Sequence, residues 1–253
     1  IVTSNIDNLP IDVVFARGQL VAENGKLLTK CPHYEWPQTV RETVNLGKRL
    51  ELKDFEISAP VDLSSVKAKV IGVIENQAPT EALEFDLPVK QGKVQVEGDV
   101  CYLSLVERHR GTGAVVNGFV SGFGYSGSMA IASSVAHDSH HMIVVGTNHE
   151  MMASAANRLG EVGGGVTLWK DGSEVALVEL PIAGLMSDIE ASEVALKTQN
   201  IVQAMTDCGC NLNNAYMQHT LLALVVIPEL RISDLGLVDV NRFELTEVIN
   251  SKP

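Results

Sequence analysis

The 253-residue sequence predicts an α/β or α+β fold, a mixed sheet with packed helices preceded by short strands. Three observations carry that prediction. Residues 142–145 are four apolar residues, mostly β-branched, that end at Gly146 and read as a buried strand. Residues 148–161 open on Asn148 in an N-cap position, carry Glu150 in the first turn and stop at Gly163-Gly164-Gly165, which reads as a helix. Asn24-Gly25 and Asp171-Gly172 each separate short alternating runs, as hairpin turns do.

The elements follow in order. Residues 11–28 alternate apolar and polar, with turns at Arg17-Gly18 and Asn24-Gly25. Residues 31–65 hold Pro32, Pro37 and Pro60 with little periodicity, so they read as a connector with short helical turns. Residues 69–74 are a strand candidate, and Gln91-Gly92-Lys93 turns the chain into a short strand at 94–96. A strand at 102–106 ends in the charged run Glu107-Arg108-His109-Arg110. Strands at 166–169 and 174–180 pair around Asp171-Gly172. Residues 188–207 place apolar side chains at 189, 194, 196, 201, 202 and 205, a helical spacing that Gly209 ends. The longest apolar run, 221–228, reads as a buried strand or helix segment, and Asp234 and Asp239 around Gly236 read as turn and capping residues.

Composition narrows the function. Nineteen basic against 31 acidic residues give a net charge of −12, which disfavours nucleic acid or an anionic membrane as partner. No apolar run approaches the ~20 residues that cross a bilayer. The start, IVTSNIDNLP, lacks the basic and long apolar parts of a signal peptide, and its opening in mid-pattern suggests a fragment or processed product. Cys31, Cys101, Cys208 and Cys210 read as reduced thiols of a cytoplasmic protein, since Cys208-Gly-Cys210 is one residue short of C-x-x-C.

The chemistry concentrates in residues 129–147, where His137, Asp138, His140 and His141 lie between two apolar runs, with Ser133, Ser134 and Ser139 beside them. Burying so many polar groups is costly unless each has a partner. The cluster is therefore either a tight internal network or one wall of a site. His137 and His140 could also be metal ligands three apart on a helical turn. The run 107–113 joins acidic and basic side chains to a Gly-x-Gly turn. There Arg108 could stack on or bond a heterocycle, or the run could be a surface ion-pair cluster. Gly122-Phe123-Gly124 and Gly127 form a bend that packs Phe123 against a neighbour.

The same segments carry a family resemblance. ASSVAHDSHH, followed by IVVGTNHEMMASAANRLGEVGGG, resembles the C-terminal region of bacterial adenine deaminases, metal-dependent amidohydrolases. VERHRGTGAVVNGFVSGFG at 106–124, LPIAGLMS at 180–187 and LALVVIPELRISDLGLVDV at 222–240 follow the same pattern in order, and upstream DFEISAP at 54–60 and VIGVIENQAPT at 70–80 also fit. The resemblance spans roughly residues 11–245. The family pattern usually carries asparagine where this chain has His141.

The resemblance implies hydrolytic deamination of adenine to hypoxanthine and ammonia, with manganese, iron or zinc in a barrel generating hydroxide. The barrel's H-x-H pair is missing from this chain, as is the H-x-E with P-C-x-x-C combination of cytidine-type deaminases. The implied organisation is residues 1–57 as the tail of the small β-sandwich beside the barrel plus a connector, then residues 58–253 as the C-terminal α/β domain. His137, Asp138, His140, Arg108 and His109 are expected to face the substrate pocket, with no catalytic residue and no metal ligand in the chain. Expected partners are adenine, the barrel in cis or as a separate chain, and further copies in a homo-oligomer. The rival expectation is a stand-alone small-molecule-binding or oligomerisation domain without catalysis.

Overall fold

The computed structural model describes residues 1–7, 11–30, 32 and 34–250. The chain divides into two compact units, Ile1–Trp36 and Pro37–Pro253, so residues 37–57 belong to the second. The first unit is a three-stranded antiparallel sheet of β1 (Val13–Ala16), β2 (Gln19–Glu23) and β3 (Lys26–Leu27). Both of its turns are two residues long, with positive φ at Arg17, Gly18, Asn24 and Gly25. That is the geometry that matches the twist of a hairpin, and it explains the Asn-Gly pair.

The second unit begins with α1 (Gln38–Arg41) and a 3-10 turn at Leu52–Phe55. It then builds one large sheet from β4 (Ser65–Val73), β5 (Thr80–Lys90), β6 (Lys93–Val94), β7 (Cys101–Val106), β8 (Val115–Ser121), β9 (Met129–Ser133), β10 (Met142–Gly146), β11 (Gly165–Lys170) and β12 (Ser173–Glu179). Their order is β12-β11-β9-β10-β7-β8-β4-β5-β6. Neighbours are antiparallel except β4 and β8, which run parallel through Ile71 and Gly72, so the sheet is mixed as predicted. α2 (His149–Val162), α3 (Ala191–Asp207) and α4 (Ala215–Leu221) pack on it. A smaller antiparallel sheet follows, of β13 (Leu230–Ser233), β14 (Gly236–Asp239) and β15 (Glu244–Thr246), and β16 (Ile249–Asn250) returns to pair with β4.

Both faces of the central strands are buried, which is why they read as unbroken apolar runs. Met142 and Val144 pack in one core with Met152, Ala155, Ala156 and Leu159 of α2. Ile143 and Val145 pack in the other with Ile201 and Met205 of α3 and Ile232 and Leu237 of the β13–β14 hairpin. The α2 boundaries follow the sequence signals. The Asn148 side chain accepts from the N–H groups of Glu150 and Met151, and Gly163 closes the helix at φ 80°. The α3 helix starts after Glu190, a few residues later than its spacing suggested, and ends at Asp207.

Three elements differ from the sequence reading. β5, with the sequence TEALEFDLPVK, carries three acids, exposes Phe85, buries Leu87 and holds Pro88, so nothing in it signals a strand inside a sheet. Pro88 is tolerated because β6 pairs only with Val89 and Lys90 of β5. β8 lies between the Gly-x-Gly turn and the Gly122 bend and was not among the strands expected. The apolar run 221–228 is neither strand nor helix beyond Leu221; it is a series of turns, with Val226 66 % exposed. Its carbonyls take turn and cross-chain backbone bonds, such as Leu224 N to Leu221 O (3.0 Å) and Thr80 N to Pro228 O (2.9 Å), and a side chain adds to them. The Arg231 guanidinium donates to Leu221 O (3.0 Å), Ile227 O (2.8 Å), Pro228 O (3.4 Å) and Ala78 O (2.5 Å).

Among the described residues no helix is long and apolar enough to cross a membrane. Cys101, Cys208 and Cys210 are free and buried, and burial pushes the Cys101 thiol up to about 12. Cys31 lies outside the described residues.

Candidate functional site

Three loops meet at the end of the sheet where β7 leaves and β10 enters. The first is 107–113, and Glu107 organises it. Its carboxylate accepts from the backbone N–H of His109 (2.5 Å), Arg110 (2.8 Å) and Thr112 (3.0 Å) and from the Thr112 hydroxyl (3.0 Å). Burial works to raise this carboxyl's pKa, and the four donors outweigh it and hold it at about 2. Gly111, at φ 65°, lies so close to Asn45 that a Cβ there would come within 2.6 Å of its side chain. The loop is thus moulded around a carboxylate that has little bonding capacity left.

The second loop is the histidine segment between Ser133 and Met142, and its backbone is tied at many points. The Ser134 hydroxyl donates to Gly184 O (2.6 Å) and accepts from Gly165 N (2.7 Å). His137 N donates to Thr220 O (3.1 Å), and His140 N to Ala136 O (2.7 Å). His109 Nε2 lies 2.9 Å from Ser139 O. The side chains are treated differently. Asp138 and Ser139 are exposed, His137 and His140 are half-buried with ring centroids 5.9 Å apart, and the buried Nδ1 of His140 has no hydrogen-bond partner. Burial, then the neighbouring His137 and Arg108, push the His140 pKa down, so this imidazole favours its neutral form.

Arg108 does not point at a ligand in this structure. It is 1 % exposed, and its guanidinium donates to the carbonyls of His140 (2.5 Å), Thr43 (3.4 Å) and Ala183 (3.2 Å). The third loop, at Ala183 and Gly184, completes the junction.

Beside it lies a concavity of about 480 Å³, with Leu105 among its apolar lining and Glu107, His109, Thr112, His141 and Asp234 among its polar groups. The His109 and His141 rings are 4.8 Å apart, and His141 Nε2 lies 3.7 Å from Asp234 Oδ2. Of the expected site residues, His109 lines this concavity, whereas His137, Asp138 and His140 lie together on the segment next to it. The glycine-rich 121–128 bend is built at the other end of β8 and packs Phe123 as expected. Asp99 accepts from Gly122 N and Gly124 N, and Phe123 is buried and stacked on Tyr125 at 5.2 Å.

Sequence reasoning missed Asp234, which reaches His141 only because the β13–β14 hairpin carries it across nearly 100 positions of chain. For Glu107 a signal existed, a carboxylate opening a Gly-x-Gly loop. Among the described residues no group of three His, Cys, Asp or Glu side chains is placed to hold a metal ion.

Comparison with known proteins identifies the family. Residues 77–244 match the family described as the adenine deaminase C-terminal domain. An adenine deaminase of Ruegeria pomeroyi is 66 % identical over 252 residues, covering 98 % of this chain and 42 % of that protein. One of Roseobacter denitrificans is 66 % identical over 251 residues (99 % and 42 %), and one of Moorella thermoacetica 41 % identical over 247 (97 % and 41 %). The chain spans about two fifths of the length of the curated relatives it matches.

Proposed function

We propose, from the premise that this chain belongs to the adenine deaminase C-terminal domain family, that it is the C-terminal part of an adenine deaminase and covers and shapes the active site of a metal-bearing barrel outside this chain. The reaction is hydrolysis of adenine to hypoxanthine and ammonia. The metal, manganese, iron or zinc, belongs to the barrel and supplies hydroxide there. Residues 1–57 close the small β-sandwich beside that barrel and connect it to the domain at 58–253. The protein works in the cytoplasm as a homo-oligomer.

One observation supports the siting above the rest. The segment 134–141 has its backbone fixed at both ends, whereas Asp138 is exposed, His137 is half-buried and the His140 Nδ1 has no hydrogen-bond partner. A loop that is rigid in its backbone and open in its side chains is what ligand recognition requires. His137, Asp138 and His140 then face the substrate side with His109 at their flank, and Arg108 acts on it only through the backbone.

Two measurements test this. The 253-residue chain alone, supplied with manganese, iron or zinc, is expected to give no loss of adenine absorbance. Turnover that survives repurification would move the chemistry into this chain. In a full-length adenine deaminase carrying this domain, His137→Ala and Asp138→Ala are expected to lower adenine turnover about tenfold or more with metal content and solubility unchanged. Wild-type kinetics in both variants would end the reading.

A further inference from the structure

We propose that Arg108 is the positioning residue of the histidine segment, its guanidinium setting the backbone at His140 and thereby the directions in which His137, Asp138 and His140 point. This rests on the reading of that segment as the substrate-facing part of the domain.

The geometry is specific. A guanidinium carries five N–H donors in a rigid planar fork. Arg108 spends Nε on His140 O, Nη1 on Thr43 O and Nη2 on Ala183 O, so one group fixes three separate loops to one another. The carbonyl it takes at His140 belongs to a residue in the left-handed region, at φ 50°. A non-glycine residue stays there only where its surroundings hold it. Ala183 is left-handed as well, at φ 57°, and a Cβ on the following Gly184 would lie 2.8 Å from Arg108 Nη1. The third loop therefore approaches the guanidinium as closely as a bare backbone allows. Next to this junction, His109 engages Ser139 O, so residues 139 and 140 are held from two adjacent positions of one loop.

Charge adds a second effect. No carboxylate among the described residues forms an ion pair with Arg108, although Glu107 is adjacent in sequence. Its positive charge is met by carbonyl dipoles in direct contact and by Glu107 at longer range. The groups facing His140 are His137, Asp138, Arg108 and His109, and of these only Asp138 favours the imidazolium. Burial first, then His137 and then this cation fixed beneath the segment, lower the His140 pKa.

Lysine and glutamine separate the two effects. Arg108→Lys keeps the charge but cannot reach three divergent carbonyls, and Arg108→Gln loses both the charge and the fork. In full-length adenine deaminase carrying this domain, both variants are expected to lower kcat/KM for adenine by about tenfold or more, chiefly through KM, with bound metal unchanged. In the 253-residue chain, the His140 imidazole, followed by NMR titration, is expected to move to higher pKa in Arg108→Gln and to stay close to its original position in Arg108→Lys. Wild-type kinetics in Arg108→Lys would overturn the positioning role, and an unmoved His140 titration in Arg108→Gln would overturn the electrostatic one. Should Arg108→Gln fail to fold, the lysine variant's kinetics decide alone. If His137→Ala and Asp138→Ala impair adenine turnover while Arg108→Lys does not, this inference fails and the reading of the segment stands. If those alanine variants are silent, the reading of the segment falls first.

Discussion

Arg108 and Arg231 are each 1 % exposed, and each spends its guanidinium on backbone carbonyls without an ion pair among the described residues. The device is the same, and what it holds differs. Arg231 gathers a turn-rich apolar run, adding donors at Leu221 O, Ile227 O and Pro228 O, and the neighbouring His219 is fully buried. Arg108 gathers loops that present Asp138, Ser139 and two half-buried histidines outward. A buried cation solvated by carbonyls is thus a structural clamp by itself. It takes on functional meaning only where the clamped backbone carries side chains with bonding capacity left.

The largest effect is expected at the purely structural clamp. Arg231→Met leaves Ile227 O and Ala78 O without a donor among the described residues, and chemical denaturation should show a loss of about 3–5 kcal/mol. A loss below about 1 kcal/mol would mean that the turns at 222–229 stand without their clamp, and the comparison would break.

Acid should separate the two regions next. Burial pushes His219 from 6.5 down to about 4, with the Ile143 carbonyl opposing it. The unfolded chain binds this proton below pH 6.5 and the folded chain does not. The His219 contribution is therefore complete above pH 6.5 and lost as pH falls to about 4. Glu107 runs from 4.5 down to about 2, so its contribution is complete above pH 4.5 and lost between there and about pH 2. Each window should cost on the order of 2–3 kcal/mol. Denaturant midpoints at pH 7.5, 4.3 and 2.5 should show His219→Leu flattening chiefly the upper interval and Glu107→Gln chiefly the lower. Identical pH profiles for the two variants would show that the regions do not titrate independently.

The smallest effect is expected at Asp234. Burial first, then His109, lowers the His141 pKa, and Asp234 is half exposed at 3.7 Å. Asp234→Asn should change stability by less than about 0.5 kcal/mol at pH 7. A thermal shift equivalent to more than about 1 kcal/mol would give the concavity a charged contact stronger than its geometry suggests.

Much of the fold was legible because local signals and tertiary demands agreed. Asn148, Gly163, Asn24-Gly25 and Asp171-Gly172 each specify a backbone conformation by themselves, and Met142–Gly146 advertises its double burial in its composition. β5 was illegible because its surroundings, not its pattern, make it a strand. The run 221–228 misled because turns and a side chain from residue 231 replace the ladder that an apolar run normally finds. At the site, the histidine segment was conspicuous in the sequence, whereas the inward turn of Arg108 depends on carbonyls at 43, 140 and 183 that no local pattern brings together.

The way β4 is completed bears on how the chain is made. Its end, at Ile71 and Gly72, pairs with β8, but its earlier stretch waits for β16 at Lys67 and Ala68, and Lys69 N donates to Val248 O at 2.8 Å. All the other strands of that sheet and every helix that covers it are synthesised in between. A nascent chain leaving the ribosome therefore carries a half-bare strand edge, next to the apolar Val66 and Val70, until its last described residues emerge. Chaperone demand should be concentrated in that interval, because an unpaired edge beside apolar side chains invites pairing with a neighbouring chain.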